Sequence, residues 1–85
     1  MKTFTYTIKD PVGIHARPAG LLSKLAKEFE SETVIEKDSK KVSAKKLMML
    51  MGLGVKCGDE ITVTVSGEDE EEAFDRIKGF FVENL

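Results

Sequence analysis

Two runs of this chain alternate threonine with a large apolar residue: Thr3-Phe4-Thr5-Tyr6-Thr7-Ile8, and Ile61-Thr62-Val63-Thr64-Val65 in the second half. Successive side chains on a strand point to opposite faces, so each run buries one face and wets the other. A sheet with one apolar face needs a cover. A chain of 85 residues has room for one layer of helices and no second domain. The expectation is one α+β domain over residues 1–85, in two layers, with a largely antiparallel sheet.

The remaining elements follow from periodicity and breakers. Asp10-Pro11-Val12-Gly13 ends the first alternation and reads as a loop. Leu22, Leu25, Ala26 and Phe29 fall at i, i+3, i+4 and i+7, one face of a helix. Pro18 must occupy the first turn of that helix, where a missing N–H costs nothing. The helix therefore starts near Ala16, with His15 at its N-cap. Residues 33–37 and 41–43 flank the turn Asp38-Ser39 and predict a hairpin. Residues 46–53 carry Leu47, Leu50 and Met51 at helical spacing and stop at Gly54. Asp69 followed by Glu72 predicts a capping box at the start of a last helix. Ala73, Ile77 and Phe80 would face inward from it, with Phe74 and Phe81 alongside. The order is β-α-β-β-α-β-α.

Charge is unevenly spread. The net value is −2, yet residues 1–56 hold 11 Lys/Arg against 6 Asp/Glu, and residues 57–85 hold 2 against 9. Such a dipolar chain suits an electrostatically chosen partner surface, though the same charges also solvate helix faces. The longest apolar run, residues 47–51, is too short to cross a membrane. Residues 1–8 alternate from the outset and lack the apolar core of a secretion signal. The single cysteine, Cys57, has no partner for an internal disulfide, and one His with one Cys cannot make a zinc site. These features predict a cytoplasmic protein of a reducing compartment, with no membrane insertion, no metal and no cofactor. Cys57 is expected to be a small packed or partly exposed residue.

The chemistry-bearing stretch is Gly13-Ile14-His15-Ala16-Arg17-Pro18-Ala19, which contains the only histidine. A histidine at a helix N-terminus lies beside free backbone N–H groups and the positive end of the dipole, a ready anion site. Arg17 adds a permanent cation whose forked donors suit phosphate oxygens. A nucleophilic imidazole next to an anion cradle is what phosphorylation on histidine requires.

With these residues, the chain resembles the histidine-containing phosphocarrier (HPr) family of the bacterial phosphoenolpyruvate-dependent sugar phosphotransferase system. The resemblance spans nearly the whole chain. It includes GIHARPA, residues 22–29, Ser43-Ala44-Lys45, Leu53-Gly54, the Gly58 turn and Ser66-Gly67-Glu68-Asp69-Glu70. It implies an open-faced β-sandwich, with a four-stranded antiparallel sheet in the order 1-4-2-3 and three helices on one side. It implies that His15 accepts a phosphoryl group on Nδ1 from phosphorylated enzyme I, charged by phosphoenolpyruvate, and donates it to sugar-specific IIA domains. Arg17 would neutralise the phosphoryl oxygens, and the backbone amides of Ala16 and Arg17 would help hold them. The chain would then be a stoichiometric carrier rather than an enzyme. It would work as a monomer that leaves its site free for successive partners.

The second helix is apolar all round, so part of it must be exposed, and exposed methionine makes an adaptable docking surface. The resemblance places Leu47, Met48 and Met51 where enzyme I and IIA domains meet the carrier. Lys24, Lys27 and Lys45 would rim that patch and attract acidic partner faces. Many Gram-positive relatives carry a regulatory serine at the start of this helix. Lys46 stands there instead and cannot be phosphorylated. Two other readings stay open: a regulatory paralogue of a nitrogen-related phosphotransferase branch, and a non-catalytic α+β binding module. An RNA-binding module would want aromatic residues on central strands and a basic sheet face. Ile61, Val63 and Val65 among threonines do not supply them, so no nucleic-acid partner is expected.

Overall fold

The computed structural model describes residues 1–85. Its elements are β1 (Lys2–Thr7), α1 (Ala16–Ala26), β2 (Glu32–Lys37), β3 (Lys40–Ser43), α2 (Leu47–Gly52), β4 (Glu60–Ser66) and α3 (Glu70–Asn84). The two threonine-alternating runs, far apart in sequence, lie side by side as β1 and β4. They run antiparallel, with Phe4 opposite Val63 and Tyr6 opposite Ile61. The full sheet has the order β1-β4-β2-β3, and every pairing is antiparallel. This is the open-faced α+β sandwich expected, with the strand order 1-4-2-3.

Residues directly opposite each other on neighbouring strands share a face. The row Phe4, Val63, Ile35, Val42 therefore lies on one face, under the helices. The row Thr5, Thr62, Glu36, Lys41 lies on the other, which stays open. The 19 buried apolar residues form one cluster between sheet and helices. Asp38 and Ser39 both take positive φ, 50° and 71°. That is the tight two-residue turn whose twist matches a β-hairpin.

Three local expectations change. The helical face including Phe29 is shorter than its periodicity suggests, because α1 ends at Ala26. Phe29 is still buried, but from the following turn, whose N–H groups shift to tighter i−3 bonds. On α3 the inward row is Ala73, Ile77 and Phe81, while Phe80 is only half-buried. Phe81 wins the core position because it meets Phe4 and Tyr6 edge-on, with centroids 5.8 and 5.7 Å apart.

The third change concerns the start of α3. Asp69 is the N-cap, but its side chain makes no cap bond. Its carboxylate instead reaches across to the α1–β2 turn. There it accepts the N–H of Glu30 at 3.0 Å, the N–H of Ser31 at 2.9 Å and the hydroxyl of buried Ser31. Glu70 takes over the local task, accepting the Gly67 N–H at 3.1 Å. Gly67 (φ +148°) lets the two segments approach, since a Cβ there would fall 2.6 Å from the Ser31 Cα.

These bonds, led by the Ser31 hydroxyl, hold the Asp69 carboxyl below its ordinary value. A carboxyl depressed by folding contributes stability above its unfolded pKa, and that contribution is lost as pH falls through the folded value. Asp69→Asn is expected to lower stability at pH 7 and to flatten the loss of stability below about pH 4. Denaturant melts across the acid range check this; an unchanged acid slope would contradict it.

Candidate functional site

The site is built from its loop. Gly13 has φ +79°, and a Cβ there would press on the Val55 carbonyl oxygen and lie 2.7 Å from the Lys56 Cα. Only glycine permits this approach. Next to it, the Ile14 N–H donates to the Val55 oxygen at 3.1 Å, and the Ile14 side chain is buried. The 54–59 segment is itself braced. Lys37 donates to the Gly54 carbonyl at 2.7 Å and pairs with Asp59 at 2.9 Å. Asp59 also accepts the Lys56 N–H, and that bond, with Lys37, holds its carboxyl below the usual value.

His15 then enters α1 as its N-cap in an extended conformation, φ −107° and ψ −173°. Its carbonyl starts the helix by accepting the Ala19 N–H at 2.9 Å. Its imidazole makes no cap bond and is half-buried. No protein acceptor takes the Ala16 or Arg17 N–H, and Pro18 has none to offer. Two free donors therefore point out of the first turn of an 11-residue helix. His15 and Arg17 line one open surface cavity of about 260 Å³ with Asp10, Pro18, Leu21 and Asn84. An imidazole and a guanidinium thus share a space that a tetrahedral anion fits, next to a helix turn with two free backbone donors.

Of the residues singled out in the motif, His15 and Arg17 line the cavity and Ala16 lies between them; the rest of the wall was not anticipated from the sequence. Asp10 was visible only as a loop residue. Asn84 arrives from the far end of α3, a closeness that no local pattern encodes. Leu21 is 48% exposed although it sits in a helical apolar run.

On α2, Leu50 is fully buried while Leu47 (37%), Met48 (78%) and Met51 (38%) are exposed. Met49 is exposed too, at 55%, and faces a cleft with Lys40, Lys41 and Val42. A short helix in contact with α1 and β3 cannot bury every side of itself. Buried Ser23 of α1 donates to the Lys45 carbonyl at 3.1 Å, tying α1 to the chain entering α2. Lys46 is the exposed N-cap of α2. The three lysines separate: Lys24 borders a groove between α1 and α3, Lys27 is exposed just past α1, and Lys45 turns to Glu32 at 3.9 Å. Cys57 is exposed, its thiol 3.8 Å from the Lys9 carbonyl. No helix is long and apolar enough to cross a membrane.

Comparison with known proteins gives a consistent answer. The family model described as "PTS HPr component phosphorylation site" matches residues 2–83. The phosphocarrier protein HPr of Mycoplasma genitalium is 44% identical over 85 residues, covering 99% of this chain and 97% of that protein. The HPr-like protein Crh of Bacillus subtilis is 44% identical over 73 residues, 86% of each chain. A solved histidine-containing phosphocarrier protein of Mycoplasma superposes with a TM-score of 0.93 at 36% identity, covering 96% of this chain and 93% of that one. Strand order, near-complete coverage and family match agree: the chain belongs to the HPr family of phosphocarrier proteins of the phosphotransferase system.

Proposed function

We propose that this chain is a phosphoryl carrier in which His15 takes the group from phosphorylated enzyme I and passes it to IIA domains of sugar permeases. The observation that carries the reading is the shared cavity of His15 and Arg17 at the N-terminus of α1. The bond between phosphorus and the donor breaks, its electron pair staying with the donor, as the Nδ1 lone pair of His15 forms a new bond. The same exchange in reverse loads the IIA domain. Arg17 balances the charge on the phosphoryl oxygens, and the free N–H groups of Ala16 and Arg17 donate hydrogen bonds to them.

Transfer between two proteins needs an exposed nucleophile and in-line docking more than an enclosed pocket. The cavity is open, so the docked partner excludes water. Leu47, Met48 and Met51 offer the partner an apolar surface, and Lys24, Lys27 and Lys45, spread over the surface rather than rimming that patch, add positive charge that attracts acidic faces. The chain acts as a monomer and a stoichiometric carrier, not an enzyme in its own right. A regulatory paralogue, of the nitrogen-related branch or of the kind of Crh, which is described as a catabolite repression containing protein, is the second reading; pairing with separate IIA proteins distinguishes it from the sugar carrier.

Incubation with enzyme I, magnesium and phosphoenolpyruvate is expected to add one acid-labile phosphoryl group, read by intact mass. His15→Ala should abolish it while the far-ultraviolet spectrum of the fold is unchanged. Acceptance retained by that variant would sink the assignment. Arg17→Ala should slow transfer about ten- to a hundredfold without removing the acceptor; an unchanged rate would contradict its role.

Lys46 has no hydroxyl, and the nearby Ser43 hydroxyl is engaged with Glu32 at 2.8 Å. An ATP-dependent serine kinase of Gram-positive catabolite control is therefore expected to leave the intact chain unlabelled. Labelling at Ser43 would contradict this.

A further inference from the structure

We propose that Asp10 sets how firmly His15 holds its phosphoryl group: its carboxylate is a fixed negative wall of the pocket that raises the tendency of the phosphohistidine to give the group away. This rests on His15 being the phosphoryl acceptor. Asp10 is the only acid among the six residues lining the cavity. A pocket shaped only to bind phosphate gains nothing from a carboxylate, because like charges across a small cleft repel.

Asp10 is held in place. Its N–H donates to the Leu85 main-chain oxygen at 2.8 Å, and its carbonyl accepts the Gly13 N–H at 3.0 Å. Its Oδ1 accepts the Val12 N–H at 2.8 Å, the side chain closing the turn on its own backbone. No lysine or arginine pairs with it. The charge is thus anchored beside the space that the phosphoryl group enters and has no ion-pair partner of its own.

Two opposed fields then act on the group. Arg17 and the first-turn N–H groups draw it in, and Asp10 pushes against it. A shuttle needs both, since a group held as tightly as possible is not passed on. Across a water-filled cleft, one unit charge facing a phosphoryl dianion changes the holding equilibrium by about three- to tenfold.

Asp10→Asn removes the charge and keeps an oxygen for the Val12 N–H, so the loop is preserved. Equal amounts of the unaltered chain and the ¹⁵N-labelled variant are mixed with catalytic enzyme I and limiting phosphoenolpyruvate. After the groups equilibrate through enzyme I, intact mass reads their partition. The variant is expected to hold about three- to tenfold more phosphoryl group at low salt, with the bias shrinking towards parity in about 0.5 M salt. Equal partition at low salt would overturn the proposal. So would a bias that persists unchanged at high salt, which belongs to altered loop geometry rather than charge. No phosphoryl group on either chain, with enzyme I active on another carrier, would overturn the assignment of His15 and this inference with it.

Discussion

Gly13 and Val55 meet main chain to main chain, and the placement of the histidine follows from that contact. The loop can lie so close only because Gly13 has no Cβ and takes a positive φ. The Ile14 N–H bond to the Val55 oxygen then fixes the direction in which the chain leaves. His15 arrives extended, its carbonyl opens α1, and Pro18 sits where it removes no helical bond. The other side of the contact is equally constrained, because Lys37 and Asp59 clamp the 54–59 segment to the end of β2. The imidazole is positioned from the sheet outward, through main-chain packing. Its own side chain makes no anchoring bond, which leaves it free to react.

Much of the architecture was legible because its signals are local. The Thr/apolar alternation gave β1 and β4, and Pro18 gave the start of α1. Asp38-Ser39 marked a hairpin whose two positive φ values confirm the turn. Local signals also misled where tertiary contacts compete. Asp69 has the right residue and spacing for a capping box, yet its carboxylate finds three donors on a turn 38 residues away. Phe80 fits the helical period, but Phe81 has Phe4 and Tyr6 to pack against. The strand order came from family resemblance, since alternation alone does not say which strands are neighbours.

The site divides in the same way. His15, Ala16 and Arg17 are consecutive, so a short motif carries their geometry. Asp10, Leu21 and Asn84 come from a loop, a helix flank and the end of α3, and only the fold assembles them. The α2 surface was legible in a different sense. A segment apolar all round cannot be wholly buried in a domain with one helical layer, and exposed methionines follow. Leaving that surface and the histidine open suits the proposed carrier, which would present the same group to more than one partner.

The central claim is that phosphorus is carried on one nitrogen of one imidazole, beside the free N–H groups of α1. The most direct measurement is heteronuclear nuclear magnetic resonance of the ¹⁵N-labelled chain before and after phosphorylation by enzyme I and phosphoenolpyruvate. The expected result is phosphorus coupled to Nδ1 of His15, with the largest backbone amide shifts at Ala16 and Arg17. Phosphorus on another residue, or on His15 without a response from those two amides, would contradict the account.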